Sequence, residues 1–229
     1  MRRVPPPQPH WKPGATITSL VAEMVSLNAA ALDVRDTYKL MTGGIIPRPI
    51  AFVSTLNENG SVNLAPFSYF NAVSSAPPTI MFAVTYKSDG SKKDTLLNIE
   101  RSREFVVNSV SEWMAAPMNH CSAEYPHGVS ELEKVGLHSV ASEIVSPPRV
   151  QESPFHMECK LHSTVEIGSA GPGSSTIIIG EIVKFHIAKA AYQDGVIKPE
   201  ELKPLSRLGG ISYGTVGEMF DLERPKIES

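Results

Sequence analysis

Cysteine is scarce in this chain of 229 residues: Cys121 and Cys159 are the only two. They are too few and too far apart for a disulfide framework or a C-x-x-C pair, and they read as thiols kept reduced inside the cell. An excess of charge of one sign is also missing. Lys and Arg number 21 against 24 Asp and Glu, a net charge of −3, which offers no basic field to nucleic acid or to an anionic membrane. No apolar run approaches the ~20 residues of a membrane-spanning helix. Arg2 and Arg3 are followed by prolines instead of an apolar stretch, so the start does not read as a secretory signal. Together these absences predict a cytoplasmic protein with no nucleic-acid and no membrane partner.

Several chemical signatures are absent as well. G-x-G-x-x-G, G-x-x-x-x-G-K-[ST] and H-E-x-x-H do not occur. The seven histidines are scattered. His156 and His162, six apart on one strand face, cannot chelate an ion by themselves, so no metal site is expected.

What is present is a succession of short apolar segments cut by Gly, Pro and Asn. Residues 49–55, 61–73, 79–86, 104–110, 156–167 and 175–190 read as strands, with Asn59-Gly60 as a hairpin turn. The segment 156–167 alternates. Met157, Cys159, Leu161, Ser163, Val165 and Ile167 fall on one face, His156, Glu158, Lys160, His162, Thr164 and Glu166 on the other. Gly180 marks a bulge or bend. Short helices are predicted at 92–102, 111–122 and 130–137, the last opened by Ser130 three residues before Glu133. Residues 15–32 show a helix-like spacing through Leu20, Val21, Met24, Val25 and Leu27. Long crossover helices are missing, so the pattern predicts a mainly β fold, a barrel with short helices, and not a βαβ sheet. Three parts are expected: an arm over 1–37, the barrel over 38–213, and a tail over 214–229.

The polar groups worth weighing lie close to these strands. Arg48 precedes the first strand, which ends in Ser54-Thr55, and Lys93-Asp94-Thr95 opens a helix. A helix N-terminus carrying Lys and Thr offers N–H groups, a hydroxyl and a cation, the set a phosphate needs; equally, Asp94 could simply cap the helix with Lys93 in water.

The order of motifs resembles the flavin reductase-like FMN-binding family, which includes flavoredoxins and the flavin reductase partners of two-component monooxygenases. The resemblance rests on Arg48-Pro49-Ile50-Ala51 with Val53-Ser54, then Gly60, then Asn63, Ala65-Pro66-Phe67-Ser68 and Phe70, then Pro77-Pro78. It continues through Lys93-Asp94-Thr95 with Asn98-Ile99, Glu104–Asn108, the Tyr125–Glu131 loop, and Leu205–Gly210 with Tyr213, covering about 38–213.

The resemblance implies an FMN-binding split β-barrel, homodimeric, that takes hydride from NADH or NADPH onto noncovalent FMN, with FAD as the alternative flavin. Ser54, Thr55 and Leu56 would border the flavin, Ser68 and Asn71 would line it, and Lys93, Asp94 and Thr95 would hold its phosphate beside Arg48. His127 would meet the nicotinamide or the acceptor, and Arg207 and Tyr213 either close the site or form a packed turn. A monooxygenase or another redox protein is the expected partner. A flavoredoxin-like electron carrier with tightly held FMN, and a non-enzymatic barrel that binds another ligand, are the competing functions.

Overall fold

The computed structural model describes residues 1–19, 21 and 23–226. Seven antiparallel strands make the main sheet: β1 (Ala51–Leu56), β2 (Val62–Phe67), β3 (Phe70–Ser75), β4 (Pro78–Thr85), β5 (Glu104–Asn108), β6 (Phe155–Ile167) and β7 (Ser175–Ile187). Their order is β2-β1-β5-β6-β7-β4-β3. The two edge strands, β2 and β3, are consecutive in the chain, and the Ala83 N–H donates to the Tyr69 carbonyl at their junction (2.9 Å). The sheet therefore curls back on itself around one interior. That interior holds Val53, Phe67, Phe82, Phe105, Leu161 and Ile178, each at most 7% exposed.

Helix α1 (Val34–Gly44) precedes the sheet, α2 (Asp94–Ser102) closes one mouth of the barrel, and α3 (Ala115–His120) and α4 (Glu131–Lys134) cover its outer side. A second core forms there, where Phe52 and Leu64 meet Met114, Met118 and Leu132. Strand β1 is thus buried on both faces, Ala51 and Val53 toward the barrel and Ile50 and Phe52 toward the second core. The edge strand β2 is protected where its outward N–H groups lie: Pro66 has none, and that of Leu64 donates to the Glu131 carboxylate (2.9 Å).

Three expectations change. The helix-like stripe at 15–32 does not form a helix among the described residues; only Ala29–Ala31 makes a 3-10 turn, and Leu20 lies outside the described residues. A stripe folds as a helix when a surface receives it, and here Val21, Met24 and Val25 stand 63–85% exposed. Conversely, α1 forms over 34–44, where no helix is predicted from the sequence, opened by Asp33, whose carboxylate accepts from the Asp36 N–H (2.7 Å). The stretch 61–73 is two strands, broken at Ser68-Tyr69.

Strand β6 departs from simple alternation, and its ladder with β7 has two irregularities: between Glu158 and Cys159, where Val183 of β7 is the extra residue, and between Leu161 and Ser163, where His162 of β6 is. The second lies opposite Gly180, so the bulge belongs to β6, while Gly180 makes room for the Phe105 ring, with which a Cβ would collide. His156 and Glu158, on the polar side of the pattern, are buried, and Val165 and Ile167 are exposed. Glu158 is buried because a loop delivers donors to it: the N–H groups of Glu143, Ile144 and Val145 (2.7–3.0 Å) and His186 Nε2 (2.6 Å). Burial alone would raise its pKa; these four donors outweigh it and hold the carboxyl at about 2. His156, paired to Asn108 through Nδ1 (2.9 Å), is lowered to about 4, chiefly by burial.

The mouth of the barrel is fixed by an amide network. Asn63 on β2 donates to Thr55 Oγ1 (3.0 Å) and to Thr95 Oγ1 (2.9 Å), and Asn98 on α2 donates to Thr55 Oγ1 (3.1 Å) and Asn57 Oδ1 (2.8 Å). All five side chains are buried.

Replacing Asn63 by Ala leaves Thr95 Oγ1 without its donor and is expected to lower stability by about 2–4 kcal/mol in urea unfolding. The Glu158 carboxyl, held near 2 when folded against an ordinary 4.5, stabilises the fold above about pH 4.5 and loses that contribution as pH falls toward 2. The loss is on the order of 3 kcal/mol, and Glu158→Gln should be less stable at pH 7 and lack this part of the acid dependence. Equal acid slopes in the two proteins would contradict the assignment.

Candidate functional site

Helix α2 begins where β4 hands over to a lysine-rich turn. Lys87 closes that turn by donating its N–H to the Ser91 carbonyl (2.9 Å), and Lys93 is the N-cap residue, with no side-chain cap of its own. The first N–H groups of a helix have no partner inside it, so α2 opens with donors and two nearby cations. A cleft of about 470 Å³ lies at this point, within the range of small-molecule sites. Its walls come from β2 (Asn63 and Ala65 to Phe67), from Lys87 with Lys93-Asp94-Thr95, and from the 121–127 loop with Glu131.

That loop is held by the β1–β2 hairpin turn. Ser61 Oγ and Asn59 Nδ2 donate to the Gly128 carbonyl (2.9 and 3.2 Å). Gly128 has φ +79°, and a Cβ there would press on Asn59 Nδ2 at 3.1 Å, so glycine is needed twice over. The neighbouring His127 thereby reaches the α2 start, with Nδ1 3.0 Å from Asp94 Oδ2. The imidazole stays 60% exposed at the mouth while Asp94 is 15% exposed.

Charge is unevenly satisfied. Asp94 lies between His127 and Lys87, whose Nζ is 3.6 Å from Oδ1, and that oxygen is buried without a hydrogen-bond donor. Among the described residues no carboxylate comes within 4.0 Å of Lys93 Nζ. Burial lowers the Lys93 pKa, Glu124 opposes that shift, and Lys87 adds to it. A half-buried ammonium with no carboxylate within ion-pair distance, beside a helix N-terminus and the Thr95 hydroxyl, is a candidate place for an anion.

The structure brings together Lys93, Asp94, Thr95 and His127 of the residues singled out in the sequence. The others lie apart from the cleft walls. Ser54 and Thr55 point to opposite faces of β1: Ser54 Oγ donates to the Pro148 carbonyl (2.6 Å), and Thr55 is taken up by Asn63 and Asn98. The Leu56 carbonyl accepts from Arg101 (2.5 Å). Ser68 sits half-buried at the β2–β3 break, and Asn71 is exposed on β3, bonded to the Ala72 N–H. Arg48 is buried and donates to the carbonyls of Thr42 (2.5 Å), Ile45 (2.6 Å) and Leu208 (2.9 Å). It ties the orphan carbonyls at the end of α1 to the C-terminal segment, a use of a cation that its sequence position did not disclose. Arg207 and Tyr213 form the packed turn, with the guanidinium 4.5 Å from the ring centroid and the Tyr213 hydroxyl donating to Asn119 (2.8 Å).

Lys87, Cys121 and Glu131 also line the cleft and were not singled out as site residues. The run Lys87–Lys93 between a strand and a helix was the available signal for the first. Burial pushes the Cys121 thiol up to about 12, so it is no thiolate nucleophile. Burial also raises the Glu131 carboxyl, against the opposing N–H groups of Leu64 and of Glu131 itself.

Comparison with known proteins agrees with this architecture. The nitrilotriacetate monooxygenase component B of Bacillus cereus is 40% identical with a TM-score of 0.84, over 88% of this chain and 100% of that one. The 2-nitrobenzoate 2-nitroreductase of Pseudomonas fluorescens is 32% identical with a TM-score of 0.76, over 90% and 98%. A protein with a split barrel domain from Shewanella frigidimarina shares the fold at 22% identity and a TM-score of 0.74, over 86% and 96%. The curled seven-stranded sheet is a split β-barrel. Residues 42–205 match the flavin reductase like domain, and the chain belongs to that family of flavin-binding oxidoreductases.

Proposed function

We propose that this protein is an NAD(P)H-dependent flavin reductase that holds FMN noncovalently with its phosphate at the start of α2. The observation that carries the reading is the Lys93 ammonium, drawn out of water with no carboxylate within 4.0 Å among the described residues. The cradle fits a terminal phosphate: the Lys93 charge, the Thr95 hydroxyl and the free N–H groups of the first turn supply three kinds of donor at one point. A terminal monoester is the phosphate of FMN, which favours FMN over FAD.

Bound flavin supplies the hydride and electron chemistry. The protein's own part is to position and to screen. Thr95, fixed by Asn63, sets where the phosphate lies. Asp94 orients His127 at the exposed mouth, where the imidazole is placed to contact the nicotinamide donor or the acceptor. The apolar wall from Ala65 to Phe67 excludes water from the deeper side. The flavin-binding unit is taken to be 38–213, working as a homodimer in the cytoplasm. Similarity to a monooxygenase component B supports a monooxygenase as the acceptor of the reduced flavin.

Lys93→Met keeps the apolar stem and removes the charge. FMN affinity, followed by quenching of flavin fluorescence, should fall about 10- to 100-fold, or roughly 1.4–3 kcal/mol. Urea stability should not fall, because the charge removed had no partner. Unchanged FMN affinity would falsify the phosphate assignment.

A further inference from the structure

The N-terminal segment is anchored at both ends, and its described apolar side chains find no surface in between. Arg2 and Arg3 pair in parallel with Glu218 and Met219, with ion pairs from Arg2 to Glu218 and from Arg3 to Asp221 (2.6 Å). From Asp33 onward the chain is fixed again by α1. Between these anchors, Trp11, Ile17, Val21, Met24, Val25 and Leu27 stand from 50% (Trp11) to 85% (Val25) exposed. A single exposed apolar residue is ordinary; six in one tethered segment are not.

The total surface gives the magnitude. The chain exposes 14391 Å², whereas a folded monomer of 24.8 kDa is expected to expose about 10,200 Å². The excess, about 4,200 Å² on one chain, exceeds the roughly 1,000–2,500 Å² that each partner of an obligate homodimer buries. The segment also has a composition that selects its partner. Between Val4 and Leu32 the only Lys, Arg, Asp or Glu are Lys12 and Glu23, too little charge to seek phosphates or nucleic acid. A protein surface of the same character exists on another copy. The edge strand β3 exposes five of its six residues, including Val73, and the end of β6 exposes Val165 and Ile167.

We propose that the described residues between Pro5 and Asn28 form a strap that lies on a second copy of this chain, two straps being exchanged about a two-fold axis. The proposal rests on the homodimer named above and assigns the segment that secures it. In this arrangement the pairing of Arg2-Arg3 with the C-terminal tail keeps each strap extended and prevents its collapse onto its own barrel. The apolar side chains that lack a partner within one protomer then find one across the interface.

The test uses the full chain. Met24→Asp combined with Val25→Asp alters two side chains that are exposed in the protomer, so far-UV circular dichroism should not change. Sedimentation equilibrium should show the dimer dissociation constant raised by at least about 100-fold, the equivalent of burying two such side chains. Since Cys121 and Cys159 are both buried, Val25→Cys introduces the one reactive thiol. Its maleimide reaction should slow as protein concentration rises through the dimerisation range. A wild-type dimer whose dissociation constant is unchanged in the double variant, with an introduced thiol that reacts equally fast at all concentrations, overturns the strap and leaves the homodimer standing. A wild-type chain that is monomeric at every concentration overturns both.

Discussion

The Asn63 side-chain amide holds the arrangement together. Its two N–H groups reach Thr55 near the end of β1 and Thr95 in the first turn of α2, so one side chain sets the distance between sheet and helix. Everything at the cleft follows from that distance. With α2 docked, Asn98 completes the network on Asn57 and Thr55, and the helix N-terminus with Lys93 looks into a cleft and not into bulk water. Buried amides and hydroxyls tolerate little displacement, because each broken bond leaves a polar group without water. The network is therefore a positional constraint as much as a stabilising one.

A second constraint acts from outside the barrel. The β1–β2 hairpin turn captures the Gly128 carbonyl, and through it the loop that carries Tyr125, Pro126 and His127. Helix start and loop meet at the Asp94–His127 contact. Two parts of the chain more than thirty residues apart thus face one another because each is tied separately to the same pair of strands. What has no carboxylate within 4.0 Å among the described residues is the positive charge of Lys93, and it is this charge on which the proposed anion site rests.

Much of the barrel was legible in the sequence. Strands announce themselves through short apolar runs between turn residues, and Ser130 does receive the Glu133 N–H (3.5 Å) as the capping spacing implies. The features that escaped are those set by tertiary contact. His156 and Glu158 occupy polar positions of an alternating strand, yet both are buried, and for Glu158 a loop over 143–145 supplies the donors. Arg48 adjoins the first strand like a ligand cation but serves the carbonyls of α1, which was itself not foreseen. Ser54 and Thr55, neighbours in sequence, part to opposite faces of β1, so neither side chain lines the cleft. The 15–32 stripe shows the converse case, an amphipathic spacing whose described apolar residues Val21, Met24, Val25 and Leu27 find no surface in the chain to receive them. Sequence patterns state what a residue could bury; only the fold states against what.

The central claim, that this cleft holds a flavin which nicotinamide reduces, is tested most directly by the visible absorption spectrum of the purified protein with FMN, recorded before and after anaerobic addition of NADH or NADPH. The account predicts bands of protein-bound oxidised flavin that bleach with one or both nucleotides. A protein that binds neither FMN nor FAD would contradict the flavin site, and bound flavin that stays oxidised with both nucleotides would contradict the reductase assignment.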